Sequence, residues 1–494
     1  MKSVQNLCSQ LNTYTLNGPG TNTVSNITAD SREVQTNSLF ICLPGAHVDG
    51  NTFIKQAVES GATAVLSEQA VEAPLSVAVI IVPDVRIAMQ AITAYFYDYP
   101  AHKMRMIGVT GTNGKTTTTH IVGHILREAG YHVGIIGTVH ILIDDESYPI
   151  HNTTPDVVDL QRVLFTMYNK GITHVVMEVS SHALAMNRVA GCEFDTAVFT
   201  NLTQDHLDYH KTFQNYLAAK AKLFQMVSAA GQNKTGKTAV VNIDDPYGQD
   251  ILAVCTCPTI TYSAQKEADL AAIDLRIQAK SSEFIINGSF GQIKLNMPIT
   301  GLFNVYNTLA AIGAAQAEGV AIETILKGLA SFHAVPGRFE LVEEGQDFAV
   351  VVDYAHTPDG LENILTTAKA LTKKRIIAVF GCGGDRDKTK RPIMGSLGAK
   401  YADVVVVTSD NPRTEDPEQI VAEVAAGVEA ALRPGKKYEV IVDRRKAIER
   451  AIAIAQTGDI ILIAGKGHEN YQILKEKTIH FDDREVARQT LKER

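Results

Sequence analysis

Short apolar runs alternating with amphipathic stretches and Gly/Pro/Asn/Asp turns dominate the chain. In the first hundred residues, runs at 39–43, 62–66 and 77–82 read as strands, 52–60 reads as a helix, and Pro83-Asp84 opens a helix to about Tyr97. Pro100 and the polar residues after it mark a boundary. Strand–helix alternation begins at Met104, with a strand at 106–109 and a helix at 116–129 stopped by Gly130. Thr154-Pro155 is expected to cap a helix whose Leu160, Val163, Leu164 and Met167 share one face. Runs at 175–177 and 197–199 predict further strands, 270–297 alternates as antiparallel strands do, and helices are expected near 305–317 and 322–330. A second boundary falls at 333–337. Beyond it, strands at 349–352, 376–379, 404–407 and 460–463 interleave with helices at 361–370, 394–399, 420–431 and 447–455. The expected fold is α/β in three domains: a small N-terminal α/β unit at 1–103, a central unit with a mostly parallel sheet at 104–333, and a Rossmann-like doubly wound unit at 334–494.

Three domains also suit a length of 494 residues. A net charge of −8 and a pI near 6.0 argue against nucleic acid as a partner. No apolar run approaches the ~20 residues that span a bilayer, and the first residues, Met1 to Leu7, lack the apolar region of a signal peptide. The six cysteines are scattered without metal-ligand spacing, so reduced thiols in a cytoplasmic protein are expected. No repeat or low-complexity tract is visible.

The strongest chemical signal is Gly111-Thr112-Asn113-Gly114-Lys115-Thr116-Thr117 between a strand and a helix. A glycine-rich turn opening a helix cradles phosphate, Lys115 neutralises it, and Thr116 can reach Mg²⁺. The pattern departs from a strict Walker loop, because Val109 stands where its first glycine would be. Glu178 ends a predicted strand, where a carboxylate either holds Mg²⁺ against a triphosphate or is simply solvated. Thr200 to His210 crowds two Asp and two His; His206 and His210 could share a helix face and bind metal, or cap a polar helix. Arg338, at the second boundary, could reach phosphate as a cis-acting arginine finger, and Asp353 could take a ribose hydroxyl; a structural salt bridge is the alternative. Three loops follow predicted strands of the last domain: Gly381 to Arg391, Ser409-Asp410-Asn411-Pro412-Arg413, and Gly465-Lys466-Gly467-His468-Glu469. Together they suggest a pocket for a small zwitterion, with Arg for carboxylates and Asp410 and Glu469 for ammonium, or else charged surface loops.

In this order, Gly-Thr-Asn-Gly-Lys-Thr-Thr, Glu-Val-Ser-Ser-His, Asn-Leu-Thr-Gln-Asp-His-Leu-Asp, Gly-Arg-Phe-Glu, Asp-Tyr-Ala-His-Thr-Pro and Asp-Asn-Pro-Arg resemble the Mur ligases over essentially the whole chain. Within that family the resemblance is to the member that adds the third residue of the peptidoglycan peptide. The resemblance implies ATP and Mg²⁺ as cofactors and an acyl phosphate formed on the D-Glu carboxylate of UDP-N-acetylmuramoyl-L-alanyl-D-glutamate, which an amine then attacks. It implies that Lys115 contacts the transferred phosphate, that Thr116, Glu178 and His206 hold Mg²⁺, and that Lys220 is carbamylated to become an oxygen ligand; periodicity alone would leave Lys220 at the surface. Asn304 and Asn307 match the adenine side, and Arg338 and Asp353 the nucleotide. Ser31, the loop 45–50, Asn152, Thr153, Thr154, Ser180 and Arg188 match the UDP-sugar dipeptide site of the N-terminal and central domains. Met186 departs from the Gln some relatives carry. A monomer without nucleic-acid or membrane partners is expected.

Relatives add either meso-diaminopimelate or L-lysine. The two differ by one distal carboxylate, which Arg413 can pair bidentately with help from Arg386; lysine would bring an ammonium toward a guanidinium. Arg386, Asp410, Asn411, Pro412, Arg413, Gly465 and Glu469 are therefore the expected pocket for meso-diaminopimelate. The rivals are an L-lysine-adding ligase, a folylpolyglutamate-synthase-like ligase, which would need no N-terminal UDP domain, and a non-catalytic nucleotide-dependent switch.

Overall fold

The computed structural model describes residues 1–44, 49–150, 152–229, 234–278, 281–333 and 335–494. The chain divides into two compact units. One comprises Met1–Gly108, Tyr131–Asp195 and Ala229–Lys237; the other comprises Val109–Gly130, Thr196–Ser228 and Thr238–Arg494.

In the first unit a five-stranded sheet runs in the order Thr15–Asn17, Ala78–Ile81, Ala62–Ser67, Ser38–Ile41, Asn26–Thr28, with only the first pair antiparallel. Ile27, Leu39, Ile41, Leu66 and Ile80 pack on Val85, Ala88 and Ile92 of the helix Val85–Phe96. That helix starts where expected because the Asp84 carboxylate accepts from Ile87 N at 2.9 Å. The same unit holds strands ordered Glu146–Tyr148, Ile141–Ile143, Val133–Ile136, His174–Glu178, the last pair parallel. The helix expected from Thr154-Pro155 begins only at Val157. The Thr154 hydroxyl donates to the Glu178 carbonyl at 2.9 Å instead of capping it.

The strand Arg105–Thr110 gives its last two residues to the second unit. There, strands Thr196–Phe199, Thr238–Asn242, Thr259–Ser263 and Leu270–Ile277 are parallel, and Ser282–Gly288 and Gly291–Met297 continue antiparallel. The helix Lys115–Glu128 packs on Leu302–Ala317 and Ile322–Ser331. A second sheet is ordered Glu340–Leu341, Ala349–Asp353, Ile460–Ala464, Ile376–Phe380, Val404–Val407, Lys437–Val440, parallel throughout except for the first strand. Parallel strands end at one edge, so the turns after Asp353, Phe380, Val407 and Ala464 share it.

Several elements went unread in the sequence. The helix Phe213–Ser228 interleaves Lys and Gln with its apolar residues. The edge strand Lys437–Val440 is too polar to stand out, and its Val440 is exposed.

Helices Lys390–Tyr401 and Pro417–Ala431 meet at Gly395 and Gly427. A Cβ at Gly395 would overlap the Val424 carbonyl oxygen, and one at Gly427 the Pro392 carbonyl oxygen, so backbone would have to move. Gly427→Ala is expected to destabilise the chain by roughly 1–3 kcal/mol through overpacking. Urea unfolding followed by circular dichroism checks this; an unchanged midpoint contradicts the close approach.

Candidate active site

The glycine-rich loop is short because the strand runs on to Thr110, and Val109, in the place of the missing glycine, is a buried strand residue. Four residues then turn the chain. Gly114 has φ +86° and a Cβ there would overlap Asn307 Oδ1; one at Gly111 would overlap the Thr200 hydroxyl. The turn after strand Thr196–Phe199 braces the loop. Thr112 N donates to Asn201 O at 2.9 Å, Asn113 N to Asn201 Oδ1 at 2.8 Å, and the Thr200 hydroxyl to Asn113 O at 2.6 Å. The helix Lys115–Glu128 has Gly114 at its N-cap and no side-chain cap, so its first N–H groups are available to an anion. Lys115 Nζ lies over the loop, donating to Gly111 O at 2.9 Å and Thr112 O at 2.8 Å. The Thr118 hydroxyl donates to Asn307 Oδ1 at 3.4 Å and Asn307 Nδ2 to Asn304 Oδ1 at 3.1 Å, so both predicted adenine-side residues lie beside the loop.

The segment after residue 335 reaches the same loop. Arg338 Nη2 donates to Thr116 Oγ1 at 2.9 Å, and its guanidinium stacks on Tyr354 at 4.5 Å. Arg338 Nε is buried without a hydrogen-bond acceptor. Asn113 Nδ2 donates to the Asp359 carboxylate. Asp353 is no solvated acid: its oxygens accept Phe339 N at 2.6 Å and Ala355 N at 2.7 Å. Burial lifts its carboxyl above the ordinary value against the pull of Arg338 and those two N–H groups.

Lys220 contradicts the surface placement that periodicity gives it. It sits on helix Phe213–Ser228 at 1% exposure, its Nζ 4.5 Å from the Tyr216 ring centroid. Burial, then the charge of Lys115, holds its amine well below the usual lysine value. The Tyr216 hydroxyl lies 3.1 Å from Thr112 Oγ1, which ties this helix to the loop. His206 and His210 do not share a helix face. His206 caps the short helix Leu207–His210 at φ +56°, with Nε2 3.3 Å from Asp205 Oδ2, while His210 is buried and tilted against Tyr216. Burial acts to raise the Asp205 carboxyl, yet His206, His356 and Lys390 outweigh it and hold it low. Among the described residues, no three His, Cys, Asp or Glu side chains gather as a metal site.

In the other unit, Glu178 is 1% exposed, which removes the solvated reading. Its oxygens accept from Thr138 N at 2.7 Å and the Thr138 hydroxyl at 3.0 Å. The Thr138 hydroxyl lies 3.1 Å from that of Thr153, and Ser180 N donates to the Thr154 hydroxyl at 3.0 Å. Arg188 donates through Nη1 to Thr154 O at 3.3 Å and pairs through Nε with Asp156 at 2.7 Å. Thr153, Thr154, Glu178, Ser180 and Arg188 thus form one cluster. Ser31 bonds Gln56 at 3.3 Å on the N-terminal sheet unit, Asn152 is exposed, and residues 45–48 of the expected loop lie outside the described residues.

The loops expected to carry the amino-acid pocket lie together at the strand-end edge. Arg413, at φ +52°, donates through Nη1 to Gly384 O at 2.8 Å. Arg386 is lowered by partial desolvation and then by repulsion from Arg413, so the two guanidinium groups sense each other. Among the described residues neither is ion-paired to a carboxylate. Asp410 and Asn411 are buried, not part of charged surface loops, and a Cβ at Gly465 would meet Asp410 Oδ2. A Cβ at Gly384 would overlap the Pro412 carbonyl oxygen. Glu469 accepts from Asn411 Nδ2 at 2.9 Å and from Lys466 Nζ at 2.9 Å. Lys466 therefore occupies the acid expected to receive an ammonium, and it went unsingled in the sequence. Tyr216, Thr138, Tyr354 and Asp359 were missed too; only Asp359, an acid opening a helix after Pro358, carried a local signal.

Known proteins match along the whole length. Residues 23–106 match the Mur ligase family catalytic domain, 109–315 the Mur ligase middle domain, and 337–467 the Mur ligase glutamate ligase domain. The UDP-N-acetylmuramoyl-L-alanyl-D-glutamate--2,6-diaminopimelate ligase of Geobacillus thermodenitrificans is 48% identical over 493 residues, covering 99% of each chain. That of Syntrophomonas wolfei is 47% identical over 475 residues, covering 96% of each. A solved structure of a UDP-N-acetylmuramoyl-L-alanyl-D-glutamate--2,6-diaminopimelate ligase aligns with TM-score 0.69 at 34% identity, covering 100% of this chain and 99% of that one. The chain belongs to the Mur ligase family.

Proposed function

We propose that the chain is an ATP-dependent ligase of peptidoglycan synthesis that adds meso-diaminopimelate to the D-Glu side-chain carboxylate of UDP-N-acetylmuramoyl-L-alanyl-D-glutamate. Both close relatives bear that activity in their names. The observation that carries the choice of amino acid is the pair Arg413 and Arg386, neither ion-paired to a carboxylate among the described residues, with Arg413 repelling Arg386 against the lesser pull of Asp208 and Asp385. A distal carboxylate satisfies them, and a lysine ammonium repels them. Residues 1–103 are assigned to the UDP-sugar, 104–333 to ATP and 334–494 to the amino acid. Ser31, Asn152, Thr153, Thr154, Ser180 and Arg188 take the UDP-sugar dipeptide. The absence of a membrane-length helix among the described residues and six free thiols support a cytoplasmic setting.

In the first step a D-Glu carboxylate oxygen bonds to the γ-phosphorus and the bond to the ADP oxygen breaks. An amine of diaminopimelate then attacks the acyl carbon, its proton is lost, and the tetrahedral intermediate expels inorganic phosphate. The loop from Gly111 to Thr117 and the uncapped helix start hold the phosphates. Lys115 exchanges its two carbonyl acceptors for the transferred phosphoryl group, and Arg338, with an unused Nε, adds charge from the far side. Asn304 and Asn307 flank the adenine, and Asp353 fixes the turn that presents Tyr354 and Arg338 to the nucleotide. In the second unit Thr116, His206 and carbamylated Lys220 would hold Mg²⁺, which supplies neutralisation of the triphosphate when bound. The buried Lys220 amine, held well below the usual lysine value, fits this set, because only a free amine combines with CO₂ to give an anionic oxygen donor.

Four outcomes are expected. ADP release requires both the UDP-sugar dipeptide and meso-diaminopimelate; release with L-lysine instead would overturn the amino-acid assignment, and release with a folate and glutamate would overturn the reaction. Lys115→Ala lowers that release about 10²-fold or more, whereas Arg413→Ala raises the KM for diaminopimelate about tenfold or more, the loss of a charge-assisted hydrogen bond. Finally, an ordinary lysine near pKa ~10.4 is almost wholly protonated at neutral pH. Because the Lys220 value is depressed, more of its amine is free to take up CO₂ at a given pH than in an ordinary lysine, and the carbamate is lost as pH falls. ¹³CO₂ should label the protein by NMR at pH 7.5 and not label Lys220→Ala; equal labelling would remove the carbamate from the account.

A further inference from the structure

Two loops that share no sequence must keep a fixed separation for the amino-acid pocket to exist: 408–413 after strand Val404–Val407 and 465–469 after strand Ile460–Ala464. We infer that Arg444, seated on Asp483, is the positioning residue that sets this separation. The inference rests on the pocket assignment above.

Arg444 opens the helix Arg444–Ile454 and Asp483 opens the terminal helix Asp483–Glu493. Both side chains are fully buried. Arg444 Nε donates to Asp483 Oδ1 at 2.7 Å and Nη2 to Oδ2 at 2.6 Å, a bidentate pair. The remaining donors go to main chain. Nη1 reaches Ser409 O at 3.3 Å and Nη2 reaches Ala464 O at 3.0 Å. Those carbonyls immediately precede Asp410 and Gly465. One planar cation therefore grips both loops at the residue before each enters the pocket, and Asp483 fixes the plane of that cation.

The tolerance is small. Gly465 has φ +120°, and the place of its absent Cβ is taken by Asp410 Oδ2, with Arg444 Nη2 the next side-chain nitrogen. The pocket-facing bonds between the loops depend on this spacing: Lys466 Nζ to Asn411 Oδ1 at 3.2 Å, Asn411 Nδ2 to Glu469 at 2.9 Å, and Gln472 Nε2 to Asp410 O at 2.7 Å. A buried ion pair is poorly explained by stability alone, since an apolar pair of similar volume often serves as well. Two guanidinium donors spent on two loop carbonyls are explained by geometry.

The test is steady-state ADP release in the full-length protein for Arg444→Lys, Arg444→Met and Asp483→Asn, with KM measured for each of the three substrates and melting temperature recorded. The expected result is a KM for meso-diaminopimelate raised about tenfold or more in Arg444→Met and Asp483→Asn, with KM for ATP and for the UDP-sugar dipeptide within about twofold. Arg444→Lys recovers part of the loss, because an ammonium still reaches one carbonyl. Parallel shifts in all three KM values, an unchanged diaminopimelate KM, or failure of all three variants to fold would each overturn the inference and leave Arg444 a core residue. Wild-type protein that turns over without any response to meso-diaminopimelate would instead defeat the pocket assignment.

Discussion

A strand buried on both faces leaves charged side chains only one place to stand, the turn where the chain leaves the sheet. That constraint organises the second unit. Thr110, Phe199, Asp353, Phe380, Val407 and Ala464 end apolar strands, and the turns that follow carry almost every polar group of the candidate site. Neighbouring turns then brace one another. The Thr200-Asn201 turn holds the glycine-rich loop, Asp353 holds Phe339, and Asn411 bridges to Glu469. The phosphate-facing helix start needs no side-chain cap of its own because the surrounding turns fix the loop and an anion completes it.

Against this frame, the state of each buried cation separates support from chemistry. Arg391 is wholly buried and pairs with Glu415 and Glu423, and Arg444 with Asp483. Both guanidinium groups are ion-paired to carboxylates, and their work is to hold loops. Arg338 donates to a hydroxyl, the Lys220 amine is held well below the usual lysine value, and Arg386 and Arg413 form no ion pair among the described residues. A desolvated cation without an anion carries a cost, so these positions are consistent with the proposed phosphate, carbamate and substrate carboxylate.

Much of this was legible in the residues. The α/β alternation, the glycine-rich loop and the three loops of the last sheet are local patterns, and each lies where strand and turn chemistry put it. Lys220 was not legible: a lysine among Ala and Leu on a weakly amphipathic helix looks solvated, and only the packing of Tyr216 and the loop above it shows the burial. Thr154 failed as a helix cap because its hydroxyl is used across the fold by Glu178. His206 and His210 failed as a helical pair because the helix between them is a single turn entered in a left-handed conformation. Arg444 and Lys466 escaped notice for a related reason. Asp483 lies 39 residues from Arg444 and Asn411 lies 55 from Lys466, and nothing in spacing or periodicity reports a contact between two strand ends.

The most direct test of the central claim is a crystal structure of the protein with meso-diaminopimelate and ADP. The account predicts that Arg413 leaves the Gly384 carbonyl to form a bidentate pair with the distal carboxylate, with Arg386 beside it and the Asp410-to-Arg413 loop otherwise in place. A distal carboxylate bound elsewhere, with Arg413 still on Gly384, would contradict it.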